Sequence, residues 1–99
     1  MDIKLDEIYR DEYNNTITLY FIAPKEMLNE YVNTDYPEAI ATEIAIEVPA
    51  DHIEARYASV SISPTKIIDG MECDYDWMDI NMDTTLIETL FVLADVWYY

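Results

Sequence analysis

The sequence predicts an α+β domain built on an antiparallel sheet of four or five strands with two helices, in the order β-β-α-β-β-(β)-α. Four segments alternate apolar and polar residues at the period of a strand with one buried face. Turn-forming residues separate these segments, and a capped, apolar periodic segment follows near the end of the chain. Hydrophobic residues make up 52% of the 99 residues and Gly occurs once. We therefore expect a single acidic domain over residues 1–99.

The first part of the chain predicts a hairpin and then a short helix. Residues Asp2–Tyr9 alternate loosely, and Thr16–Ile22 alternates well. Between them, Asp11–Asn15 has the composition of a turn, so the two segments are predicted to pair. Pro24 suits the first turn of a helix, which predicts helix over Lys25–Asn33.

The middle of the chain predicts a second hairpin. Glu43–Val48 alternates most clearly, with its Ile and Val residues on one side and its Glu residues on the other. Tyr57–Ile62 alternates again, with Tyr57 pointing outward, and we expect the two strands to pair. Ser63-Pro64 is expected to end the second strand, because proline interrupts strand pairing.

The last third predicts a small extension of the sheet and a helix. Asp69-Gly70 is a signal for a two-residue turn, so Lys66–Ile68 and Met71–Tyr75 are predicted to form an extra hairpin or to extend the sheet. Apolar residues at helical spacing, Leu93 among them, predict a helix from Thr84 to about Trp97. Its candidate caps are Asp83, Thr84 and Thr85, the last with Glu88 at capping-box spacing.

The charge of the chain is its most unusual property. It has 21 Asp and Glu against 5 Lys and Arg, a formal net charge of −16, whereas a small domain ordinarily carries about 2–8 charges. The acids are spread from Asp2 to Asp95, so the charge belongs to the fold and not to a tail. Such a surface repels nucleic acids and anionic membranes. We expect no direct binding to either.

The cellular compartment, and the expectation of no enzyme activity, are predicted mainly from sequence features that the chain lacks. The start of the chain does not resemble a signal peptide, no run reaches the ~20 apolar residues of a membrane span, and a single cysteine, Cys73, forms no internal disulfide. These features favour the cytoplasm. The only histidine, His52, has no nucleophile placed near it by a motif, and the acids of 74–85 do not match a calcium-binding loop. We expect no enzyme activity, no metal and no cofactor.

Acidic and aromatic residues together predict a surface that contacts a protein. Glu43 and Glu47 are on the outer side of their predicted strand. If residues 72–77 are extended, the acids at 72, 74 and 76 face one way and the residues at 73, 75 and 77 the other. The alternative is a solvated loop that leads into a capped helix. The predicted contact residues are Glu43, Glu47, Glu72, Asp74, Asp76 and Asp79, with Tyr75 and Trp77 as aromatic anchors.

Size, acidity and aromatic content give a resemblance to a functional class. A net charge of −16 equals that of roughly 27 Å of DNA duplex, at one charge per ~1.7 Å. As a class, the chain resembles the small acidic nucleic-acid mimics of phages and mobile elements: anti-restriction proteins, anti-CRISPR proteins and inhibitors of uracil-DNA glycosylase. The resemblance implies an inhibitor in the host cytoplasm, often dimeric, that occupies a DNA- or RNA-binding surface. It aligns no family motif and transfers no site residues.

Three functions therefore stay open at the level of the sequence. The first is a DNA-mimicking inhibitor whose partner is a basic nucleic-acid-binding protein or ribonucleoprotein complex of host defence or nucleic-acid processing. The second is an immunity protein or antitoxin that neutralises one basic toxin. The third is an acidic structural or adaptor domain, for instance from a salt-adapted organism. Trp97-Tyr98-Tyr99 either packs against the helix end or forms a patch for a homodimer.

Overall fold

The computed structural model describes residues 3–24, 26, 39–74 and 76–96. The elements in chain order are β1 (Lys4–Asp11), β2 (Thr16–Pro24), β3 (Ala39–Pro49), a 3-10 turn (Ala55–Tyr57), β4 (Ser59–Ile68), β5 (Met71–Asp74), β6 (Met78–Ile80) and α1 (Thr84–Ala94). The antiparallel sheet is confirmed and has six strands. Of the two predicted helices, the described residues contain only the second; the one predicted over Lys25–Asn33 lies outside them except for Glu26.

All strand pairs in the sheet are antiparallel, and neighbouring strands follow each other along the chain in the order β1-β2-β3-β4. The far edge of β4 pairs with two short strands in turn. Residues 65–68 pair with β5, and residues 60–62 pair with β6. This edge is therefore divided into two parts, with an interval between them.

The predicted end of the strand at Ser63-Pro64 is wrong, because β4 continues through both residues to Ile68. Pro64 lies opposite Thr42 on β3, and on its other side it lies opposite the interval between β6 and β5. A proline removes one backbone donor, which matters least where the ladder is already interrupted. The other end of the strand also differs from the prediction: Tyr57 belongs to the 3-10 turn, and β4 begins at Ser59.

The core lies between one face of the sheet and α1. Its sheet side comes from the alternate residues that were predicted to point inward. The largest of these buried side chains are Ile17, Leu19, Phe21, Ile44, Ile46, Val48 and Ile62. The helix contributes Ile87, Leu90, Phe91 and Ala94. Burial of these side chains from water is the main force that stabilises the fold.

The boundaries of α1 follow from local hydrogen bonds. The side chain of Asp83 accepts a hydrogen bond from the backbone N–H of Thr85 at 2.7 Å, which caps the first turn. The helix ends at Ala94, earlier than predicted, because Asp95 is left-handed with φ 55° and its N–H bonds the carbonyl of Val92. Leu93, one of the apolar residues whose spacing predicted the helix, is 49% exposed.

Two turns position the strands. Asp69 and Gly70 have φ of 52° and 80°, the left-handed pair that a two-residue hairpin turn requires, so the predicted hairpin between β4 and β5 is confirmed. In the turn between β1 and β2, the carboxylate of Asp11 accepts hydrogen bonds from the N–H groups of Tyr13 and Asn14.

None of the helices in the described residues has the length and apolar content to span a bilayer.

Candidate partner-binding face

The candidate site is the face of the sheet that points away from α1, here called the open face. On β3, Glu43 and Glu47 alternate with the buried residues Ile44, Ile46 and Val48. Because successive side chains of a strand point to opposite faces, both glutamates are on the open face. Their predicted outward orientation is confirmed.

Two further acids reach the open face from β5. Asp74 pairs with Thr65, and the Thr65 hydroxyl donates a hydrogen bond to Asp74 Oδ1 at 3.0 Å. Thr65 also pairs with Ala41, which is two residues before Glu43 on β3 and therefore points to the same face. Glu72 is two residues before Asp74 on the same strand, so it shares this face.

Trp77 and Asp79 also lie on the open face, and for Trp77 the predicted orientation is wrong. Asp74 pairs with Thr65, and Met78 pairs with Ile62. The outer chain thus advances four residues while β4 advances three. One extra residue reverses the alternation of side chains, as in a β-bulge. The side chains at 77 and 79 therefore lie on the same face as those at 72 and 74.

The two remaining predicted contact residues are Asp76 and Tyr75. Asp76 is exposed and lies in the unpaired segment just before β6. Tyr75 lies outside the described residues, so its predicted role as an anchor stays a prediction.

The carboxylates of the open face are close enough to affect one another. The pKa of Glu43 is raised above its ordinary value, first by partial burial and then by the negative charges of Asp74, Asp6 and Glu72. The charges that act on Glu43 thus come from β1 and from β5. Asp6 was not among the predicted contact residues. The alternation of its strand is loose, and the register shifts between Leu5 and Glu7.

The basic residues that the structure describes are mostly placed away from the open face. Among the basic residues that the structure describes, Arg10 pairs with the buried Ile17, so it is on the face of the sheet that carries the core. Lys66 directly follows Thr65, which is on the open face, so Lys66 is on the opposite face of β4. Arg56 is on the 3-10 turn, 3.4 Å from the carboxylate of Glu54. Lys4 is the described cation whose register places it on the open face.

A shallow depression of about 290 Å³ lies within the open face. Its floor is low because β3 and β4 carry small residues there, Ala45, Ser59 and Ser61. The larger side chains around the floor are Tyr20, Glu47, Trp77 and Asp79. The rings of Tyr20 and Trp77 meet edge to face, with centroids 6.3 Å apart and planes at 62°, a favourable geometry for two aromatic groups.

His52 and Cys73, the two residues considered for catalysis, lie in the loop after β3 and on β5. His52 is exposed and contacts the ring of Tyr57, with centroids 5.4 Å apart. Cys73 is half-buried and pairs with Lys66. Among the described residues, no group of three or more His, Cys, Asp or Glu side chains is placed to hold a metal ion.

Comparisons with known proteins do not identify the chain. No protein-family model, curated protein or solved structure matches it.

Proposed function

We propose that this protein inhibits a nucleic-acid-binding protein or ribonucleoprotein complex by presenting its open face as a substitute for the phosphates of DNA or RNA. The observation that carries the proposal is the gathering of Glu43, Glu47, Glu72, Asp74 and Asp79 on one face of a sheet whose other face is buried. A rigid sheet holds such charges at regular intervals, because residues i and i+2 are about 6.8 Å apart along a strand and neighbouring strands are about 4.8 Å apart.

The physics of such an inhibitor follows from the charge. A basic groove that has evolved to bind phosphates attracts a folded polyanion over long distances, so association is fast and weakens with salt. Occupation of the groove excludes the nucleic acid sterically. Such an inhibitor needs no catalytic group and no cofactor. Its site of action is the cytoplasm in which the target works.

Affinity also needs groups that make contact after the charges have aligned the partners. Trp77 is 46% exposed on the open face although it is a large aromatic residue. Tyr and Trp are enriched among the residues that dominate the binding energy of interfaces. We therefore assign Trp77 as the anchor of the acidic face, with Tyr20 in contact with its ring.

The test is capture of partners from a host lysate by the tagged protein at ~50 and ~500 mM salt, a contrast that screens exposed charge pairs. The proposal predicts one basic nucleic-acid enzyme, bound at low salt and displaced by duplex DNA or guide RNA. A small toxin bound one to one would instead support the antitoxin alternative. Many basic proteins captured in proportion to their abundance would contradict both and favour a plain acidic domain.

A further inference from the structure

We propose that the depression between Tyr20 and Trp77 is a pocket for one arginine side chain of the partner. This inference deepens the proposed function and rests on it, because it names the group that the open face recognises. The depression measures about 290 Å³, at the lower limit of ligand pockets, which are roughly 300–1,000 Å³. It therefore fits a single side chain better than a cofactor.

The chemistry of the walls selects a cation. Glu47 and Asp79 line the depression from opposite sides of its floor, and none of the described residues that line it is basic. Both acids are exposed in the free protein, so they bear no burial cost until a partner arrives. A positively charged side chain that enters between them gains two charge-assisted hydrogen bonds.

The aromatic wall distinguishes arginine from lysine. A guanidinium group is flat, stacks on aromatic rings and donates from several nitrogens at once, whereas an ammonium group is compact and strongly hydrated. Trp is the best aromatic partner for a cation, and Trp77 is held at the rim by Tyr20, with centroids 6.3 Å apart. The hydroxyls of Ser59 and Ser61 on the floor offer further acceptors.

The test compares the binding of hexa-arginine and hexa-lysine peptides to the folded protein at one fixed salt concentration, by calorimetry. Both peptides carry the same charge, so the long-range attraction to the polyanion is the same for both. The pocket predicts that hexa-arginine binds about threefold or more tightly than hexa-lysine, the ratio expected for one cation–aromatic contact at a partly exposed site.

Two variants locate the preference. Trp77→Leu removes the aromatic wall, and Ser61→Ile fills the floor with a residue that suits a strand; neither changes the charge. Each variant should reduce the ratio to near one while keeping the affinity for hexa-lysine, and circular dichroism confirms that each is folded. Equal affinities in the unaltered protein, or a ratio that both variants leave intact, would overturn the pocket. The peptides stand in for the partner, so this result is separate from whether lysate capture yields a nucleic-acid enzyme.

Discussion

Trp77 packs edge to face against Tyr20, with ring centroids 6.3 Å apart, although Trp77 immediately precedes β6, which is separated from β2 in the sheet by β3 and β4. The rings can meet because the intervening positions carry the small side chains of Ala45 and Ser61, which pair with each other. This contact bridges the open face and leaves the indole half exposed.

The first prediction concerns the stability that this contact contributes. Trp77→Leu should lower the free energy of unfolding by about 1 kcal/mol, because an aromatic pair contributes about 0.5–1.5 kcal/mol beyond its burial. Denaturant titration measures the change. The matched control is Tyr13→Leu, since Tyr13 is 96% exposed and should have little effect. Equal losses in the two variants would mean that the pair does not stabilise the fold.

The second prediction concerns the pKa of Glu43 and the pH dependence of stability. The pKa of Glu43 is raised in the folded protein by burial and by the charges of Asp74, Asp6 and Glu72. A raised pKa means that ionisation of Glu43 destabilises the folded protein. The stabilising effect of the neutral side chain is therefore complete below the ordinary pKa of 4.5, and it is lost as the pH rises through the pKa of the folded state. Glu43→Gln should therefore stabilise the protein at pH 7.

Denaturant titration of this variant at several pH values tests the sign. The gain should shrink as the pH falls and disappear below the ordinary pKa of 4.5, where the unaltered glutamic acid is also neutral. Glu12→Gln, at an exposed position in the first turn, controls for the removal of one charge from an acidic protein. A loss of stability at pH 7 for Glu43→Gln would contradict the crowding of charges on the open face.

The third prediction concerns the first hairpin turn, where the sign is opposite. Hydrogen bonds from the side chain and backbone of Asn14, and from the backbone of Tyr13, lower the pKa of Asp11. Its contribution to stability is therefore present above the ordinary value of 3.8 and is lost as the pH falls through the folded pKa. Asp11→Ala should destabilise the protein at pH 7, with the difference shrinking in acid. A constant difference across that range would indicate that the carboxylate charge has no part in the turn.

The fourth prediction separates a concentrated charge from a salt-adapted surface. With a net charge of −16, self-repulsion opposes the compact state, and salt screens that repulsion. The protein should fold at ~10 mM salt, because its core is built from large buried side chains such as Phe21 and Phe91. Its Tm should rise as salt increases to ~500 mM. Folding that occurs only in molar salt would favour the plain acidic domain.

Alternation in the sequence was sufficient to predict the sheet and the positions of Glu43 and Glu47, because each lies next to isoleucines that the core buries. It failed at Trp77, whose orientation depends on one extra residue between two pairings with β4. It failed again at Pro64, where the neighbouring edge is already interrupted. Both errors have one physical origin. Strand pairing between distant segments sets the register, and a local pattern does not contain that information.

The same limit explains which parts of the site were missed. The effect of Asp6 on Glu43 depends on the irregular register between β1 and β2. The depression depends on small residues of β3 and β4 that lie between Tyr20 of β2 and Trp77, next to β6. The acidic residues could be identified from composition. Their concentration on one face, and the pocket between them, could be identified only after the strands had been paired.

The most direct test of the account measures the affinity of charge-reversal variants for the captured nucleic-acid enzyme. Glu47→Lys with Asp79→Lys reverses two acids of the open face, and Glu12→Lys with Glu88→Lys reverses two exposed acids in the first turn and on α1. Both pairs change the net charge equally. If the partner binds through the open face, the open-face pair loses at least about 100-fold in affinity, as two buried charge contacts would, while the control pair loses less than about tenfold. Equal losses would contradict binding through the open face, because the partner would then respond to total charge and not to this face.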